Sequence, residues 1–235
     1  MQQAPLLFDL NAELSFNSFY TACNSQVIQS LMEIAIGNNH EPQFYLWGSQ
    51  GSGKSHLLQA CCQHAHQYQR KAFYLRLYKN NLINPKVLEG LEEYDLICID
   101  NVDYCAGHPA WEMALFNLYN DHRQNNHRLI LSAHCSPHEL PISLPDLKTR
   151  LNWGLSLELQ PLSDEERIAA FSCKAKHLGI EISTKVSNFL TKHYAADLPT
   201  LWKLLTALER ETLIAKRKLT LPFLKQILAK EPLLQ

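Results

Sequence analysis

Gly48-Ser49-Gln50-Gly51-Ser52-Gly53-Lys54-Ser55 fits the spacing G-x-x-x-x-G-K-[ST] at every fixed position. Glycines let the backbone curl round a phosphate with successive N–H groups turned inward. A helix opening at the end of such a loop adds the partial positive charge of its N-terminus. Lys54 can reach the β- and γ-phosphate oxygens as a mobile point charge, and the Ser55 hydroxyl can ligate Mg²⁺. The bland alternative is a glycine-rich turn that merely begins a helix. The complete motif, lying between a strand-like run and a helix-like run, argues against it. Gly48, Gly51, Ser52, Gly53, Lys54, Ser55 and His56 are therefore the candidate nucleotide-binding residues of this stretch.

A metal-bound nucleotide needs a second acid. Leu96-Ile97-Cys98-Ile99-Asp100 supplies one, an apolar strand whose acid falls at the carboxyl edge where ligands of open α/β sheets bind. Asp100 is the Walker B candidate and, with Ser55, the candidate Mg²⁺ ligand. Asn101 follows it, where many such ATPases place a Glu that polarises the attacking water. An amide can orient a water but cannot take its proton, which predicts tight nucleotide binding with slow intrinsic hydrolysis. Asp103 is a substitute candidate two residues on.

The elements that must position these groups alternate. Gln43–Trp47, Ala72–Leu77, Asp95–Ile99, Arg128–Ser132 and Leu155–Leu159 read as strands, and their nearly continuous apolar runs indicate burial on both faces. Helices are expected from about Ser55 to Tyr68 and over Trp111–Asn126, so the first part of the chain reads as an α/β layer with a parallel sheet. After Leu159 the pattern becomes helical. Ser163 with Glu166 forms a capping box, Gly179 stops that helix, and Ser183–His193 is a second. Asp197 caps a third over Thr200–Arg217 with Pro199 at its first position, and Pro222 opens a fourth. The expected domains are a tail over 1–13, a nucleotide-binding α/β domain over 14–160 and a helical domain over 161–235.

Composition narrows the partners. Hydrophobic residues at 46% and charged residues at 19% describe an ordinary globular chain and exclude a disordered or coiled-coil one. Lys plus Arg is 22 and Asp plus Glu is 23, a balance that argues against unaided binding to DNA. The clusters Lys148–Arg150 and Lys216–Lys218 read by default as solvated faces. MQQAPLLFDL has neither a basic start nor a long apolar stretch, and no apolar run is long enough to span a membrane. Seven cysteines without a C-x-x-C pair read as reduced thiols of a cytoplasmic protein. His64 and His66 point apart on a helix, which argues against a metal site.

The loop, the strand ending in Asp and the helical C-terminal part together resemble the AAA+ ATPases, and local stretches narrow this to the DnaA/Hda family. The stretches are LSFNSFY (Leu14–Tyr20), LWGSQGSGKSHLLQA (Leu46–Ala60), LICIDNVD (Leu96–Asp103), WEMALFNLYN (Trp111–Asn120), LPDLKTRLNWG (Leu144–Gly154), LQPLSDEER (Leu159–Arg167) and KRKLTLPFLKQIL (Lys216–Leu228). The resemblance implies a five-stranded parallel AAA+ core with a small all-α lid, and ADP or ATP with Mg²⁺ as cofactors. It implies an adenine-side segment at Phe16–Tyr20, for which a hydrophobic staple onto the core is an equal alternative. Ser132 takes the polar sensor 1 position, ahead of His134 where relatives often have Asp. Arg150 matches the arginine finger, a guanidinium that one subunit places against a neighbour's γ-phosphate. The sensor 2 arginine falls at Pro199, which cannot replace it, leaving Lys203 one turn later.

Gln3-Ala4-Pro5-Leu6-Leu7-Phe8 resembles the family's sliding-clamp-binding peptide, with Gln3, Leu6 and Phe8 as anchors and Ala4 where better matches have Leu. The chain stops at Gln235, and a helix-turn-helix domain such as DnaA carries is not expected after it. The implied role is a replication regulator that works with DnaA and the DNA polymerase III sliding clamp (β subunit), as a homo-oligomer or hetero-assembly. The competing reading is a self-sufficient AAA+ ATPase such as a helicase loader or remodeller. A DNA-binding initiator fragment is a third, disfavoured by the charge balance.

Overall fold

A computed structural model describes residues 14–125, 127–193 and 197–230. Five parallel strands form one sheet in the order β2-β3-β4-β1-β5: β1 (Gln43–Trp47), β2 (Ala72–Arg76), β3 (Leu96–Asp100), β4 (Arg128–Ala133) and β5 (Leu155–Glu158). β1, β3 and β4 are interior strands, and their apolar runs are buried almost throughout. Alternate side chains feed two separate cores. Tyr45, Ile97, Ile99, Leu129 and Leu131 pack on the face covered by α3 (Pro109–Asn125) and α4 (Pro145–Leu151). Phe44, Leu46, Leu96, Cys98 and Ile130 pack on the other, under α1 (Ser25–Ala35) and α2 (Lys54–Gln67). This period-two division is why the strands read as uninterrupted hydrophobic runs.

The strand order positions the site. β4 lies between β1 and β3, so the carboxyl ends of three adjacent strands present the glycine-rich loop, Ser132 and Asp100 side by side. Asp100 itself closes β3, one residue beyond the expected end at Ile99.

The chain divides between Pro161 and Leu162 into two compact units. The second is helical: α5 (Asp164–His177), α6 (Thr184–His193), α7 (Leu198–Ala215) and α8 (Leu221–Lys230). Ser163 and Glu166 form the expected capping box, the Ser163 N–H donating to Glu166 at 2.8 Å. Asp197 caps α7 by accepting from the Thr200 N–H at 2.9 Å, but Leu198 is the first helical residue, so Pro199 is the second. α7 also ends at Ala215 rather than Arg217, because Lys216 adopts the left-handed conformation (φ 48°) that terminates helices. Phe171, Val186, Leu190, Leu201, Leu204, Leu208 and Leu224 fill this unit's core.

All seven cysteines are free thiols, and Cys61, Cys62, Cys98 and Cys105 are buried. No helix among the described residues is long and apolar enough to cross a membrane.

Near the end of α3, His122 is 1% exposed. Leu88, Leu91, Ile97 and Leu118 line the same small cavity. Burial pushes the imidazole down from 6.5 to about 4. The folded protein keeps a neutral ring where the unfolded chain takes up a proton. Stability is therefore lost as pH falls from about 6.5 to about 4, by about 3 kcal/mol, and levels off below. His122→Phe is expected to flatten that part of the pH profile of unfolding free energy, measured by chemical denaturation. An unchanged slope contradicts the assignment.

Candidate functional site

The loop between β1 and α2 is shaped by its glycines. Gly51 and Gly53 have φ of 78° and 100°, a region costly for residues with a Cβ. A Cβ on Gly48 would stand 2.7 Å from the Leu159 carbonyl oxygen, which is backbone and has no freedom to retreat. Inside this cradle the Ser52 hydroxyl is buried without a hydrogen-bond partner among the described residues. An orphaned donor within a glycine-rich turn at a helix N-terminus fits a phosphate oxygen. Ser55 follows, half-buried in the first turn of α2. Its hydroxyl and the Asp100 carboxylate are oxygen donors of the kind that would suit Mg²⁺.

Lys54 is 4% exposed, and its Nζ donates to the carbonyls of Gly48 (2.7 Å) and Ser49 (2.8 Å). Burial lowers its pKa, and the carboxylates of Asp100 and Asp103 pull it back up. Both acids are thus close enough to the lysine to act on its charge.

Asp100 is fully buried, and its oxygens are divided between its neighbours. Oδ1 accepts from the Ser132 hydroxyl, and Oδ2 accepts from the Tyr74 hydroxyl at 3.0 Å. Burial and then the Asp100 carboxylate push the Tyr74 phenol upward, so it remains a donor. Ser132 also accepts the Asn101 N–H at 3.1 Å. Asn101 is in the left-handed conformation (φ 64°), which asparagine tolerates better than most residues. Its side-chain amide donates to the Leu77 carbonyl at 3.2 Å. Asp103 accepts from His134 Nδ1 at 2.9 Å through one oxygen, while the other is buried and unpartnered among the described residues.

The N-terminal segment lies along α2. The Nε2–H of His56 donates to the Ser15 carbonyl at 2.8 Å, and the Phe19 ring meets His56 edge-on at 5.2 Å. A Cβ on Gly53 would stand 2.6 Å from Phe19, so this ring rests on the phosphate loop itself. Phe16 lies farther along α2, edge-on to His64 at 5.6 Å. Of the segment's aromatics it is Phe19 that touches the loop.

Arg150 ends up elsewhere. Gln43 opens β1, and its Nε2 donates to the carbonyls of Arg150 (3.1 Å) and Trp153 (2.6 Å). The glycine-rich loop leaves the other end of the same strand. The rise from residue 43 to 48 is roughly 16 Å at about 3.3 Å per residue. The half-buried guanidinium stacks on Phe116 (4.2 Å to the ring centroid) and donates to the Asn120 side-chain oxygen, both on α3. Pro199 and the exposed Lys203 belong to the helical unit, and Gln3, Leu6 and Phe8 lie outside the described residues.

Two partners of Asp100 escape a sequence reading. Tyr74 and Arg76 sit on β2, and only the register that pairs Tyr74 with Cys98 and Arg76 with Asp100 reveals them.

The family model of the bacterial DnaA ATPase domain matches residues 10–158, and that of the Hda lid domain matches residues 164–228. Among solved structures, domain III of the Thermotoga maritima replication initiation protein DnaA is similar with a TM-score of 0.80 and 19% identity. It covers 97% of this chain and 98% of that one. AMPPCP-bound DnaA from Aquifex aeolicus gives 0.71 at 20% identity, over 86% and 66%. The Thermotoga maritima RuvB Holliday junction branch migration motor gives 0.64 at 15%, over 87% and 67%. The sheet and helical unit are thus those of an AAA+ core with its lid.

Ser132→Ala leaves a buried N–H and a buried carboxylate oxygen without their partner. It is expected to cost about 2 kcal/mol in unfolding free energy by denaturant titration. A loss no larger than that of an exposed Ser→Ala control shows the network to be dispensable.

Proposed function

The chain belongs to the bacterial DnaA ATPase family and carries an Hda-type lid; on that footing we propose that it holds an adenine nucleotide and acts on a nucleotide held by another protein. The observation that carries this reading is the placement of Arg150. The turn bearing it is bound to the amino end of β1, and the glycine-rich loop leaves the carboxyl end, so the backbone that carries the guanidinium lies at the other end of the strand from the chain's own cradle. A half-buried cation, held by Phe116 and Asn120 rather than by a carboxylate, is kept in shape without being neutralised.

The partner is DnaA with bound ATP. Arg150 supplies positive charge to its γ-phosphate as hydrolysis proceeds, and the resulting ADP form does not re-initiate chromosome replication. The tail at Gln3–Phe8 docks the chain on the DNA-loaded sliding clamp, which brings it to DnaA at the replisome in the cytoplasm. The chain's own nucleotide, ADP or ATP with Mg²⁺ near Ser55 and Asp100, serves mainly to shape it. Asn101 supports this division of labour, since its amide is committed to the Leu77 carbonyl and takes no proton. Self-association through the same finger-to-cradle contact gives a homo-oligomer.

One observation favours a second reading. One oxygen of Asp103 is buried and unpartnered among the described residues, near Lys54, where an autonomous ATPase requires a carboxylate.

Two measurements decide between them. In a reconstituted assay with ATP-DnaA, clamp and DNA, Arg150→Ala is expected to lower stimulated hydrolysis by about a thousandfold or to background. Its own nucleotide affinity should be unchanged; a variant that still stimulates contradicts the proposal. Steady-state turnover by the purified chain alone, abolished by Asp103→Asn, would instead establish the second reading.

A further inference from the structure

A buried carboxylate needs compensation, and in a nucleotide site the divalent cation ordinarily provides it. Asp100 has another source. Arg76 closes β2 and is the register partner of Asp100 across the β2–β3 ladder. Its Nε lies 3.6 Å from Asp100 Oδ2, the oxygen that also accepts from Tyr74. The guanidinium is steadied over the Tyr78 ring, 5.5 Å from the centroid. The Arg76 side chain is 45% exposed and that of Asp100 is 0% exposed, so the cation caps the carboxylate from the solvent side. Arginine stays charged at every pH a protein survives, and its planar head suits a carboxylate.

Among the described residues, Ser132 meets one oxygen of Asp100, and Tyr74 and Arg76 meet the other. Lys54, the other cation nearby, spends its protons on the loop carbonyls. Lys54 acts on Asp100 through its charge alone, whereas Arg76 is the cation that lies within ion-pair distance of the carboxylate among the described residues.

From this juxtaposition we infer that Arg76 is a positioning residue that serves as a resident counter-cation for Asp100, so that the site takes a nucleoside diphosphate with little dependence on a divalent cation. The inference rests on the nucleotide-site reading above. It extends that reading to the charge balance of the site. A merely structural ion pair would change stability on removal but would leave the metal dependence of binding where it was.

The test is binding of a fluorescent ADP to the full chain, in excess Mg²⁺ and again in EDTA. Wild type is expected to lose less than about threefold in affinity on chelation, and Arg76→Ala at least about tenfold. Arg76→Lys, which restores the charge, is expected to recover most of the difference. Equal dependence on Mg²⁺ in wild type and Arg76→Ala overturns the inference and leaves nucleotide binding standing. Wild type alone is also decisive, since a loss of more than about tenfold in EDTA overturns the inference without any variant. Failure of all three proteins to bind ADP in either condition overturns both this inference and the reading beneath it.

Discussion

The burial of one carboxylate organises the carboxyl edge of the sheet. Asp100 has no access to water, so its charge must be met by donors from the strands on either side. The order β2-β3-β4 puts Tyr74 and Arg76 on one flank and Ser132 on the other. Ser132 then takes the N–H of Asn101, which fixes the left-handed exit of the chain from β3. Strand register, turn conformation and site electrostatics are therefore one constraint. A slip of a single residue in β2 would turn Tyr74 to the opposite face and leave the carboxylate short of a donor.

How far this was legible in the sequence depends on range. The phosphate loop and the strand-end acid are local patterns, and the five strands stand out as apolar runs because the sheet is covered on both faces. α1 carried a readable signal, with Ile28, Leu31, Ile34 and Ala35 on one face at helical spacing, yet it is absent from the sequence reading. α4 has only seven residues, too few for a period, and its cue was Pro145 in the first turn. The left-handed Lys216 could not be foreseen, since lysine has no preference for that conformation and helical periodicity continues to Arg217. Tyr74 and Arg76 are further out of reach, because their relation to Asp100 exists only after two strands pair.

A second carboxylate does comparable work on the opposite face of the sheet. Glu112, 2% exposed in the first turn of α3, accepts backbone N–H groups from Gly107 (2.8 Å), Ser143 (3.0 Å) and Leu144 (2.8 Å). Leu144 is the residue that introduces α4, so one side chain joins the entry of α3 to the entry of the helix that carries Arg150. Phe116 and Asn120, on the same α3, then hold the guanidinium. The Arg150 guanidinium is thereby held by a single helix, which acts at the beginning of α4 through an anion and at its end through a ring and an amide.

Gln43 gives this arrangement a further property. By clasping the carbonyls of Arg150 and Trp153, it ties the arginine's turn to the strand that ends in the phosphate loop. An extended strand locked between two neighbours does not stretch. The turn that bears Arg150 and the glycine-rich loop are thus separated by a ruler of fixed length, so neither can shift along β1 without the other.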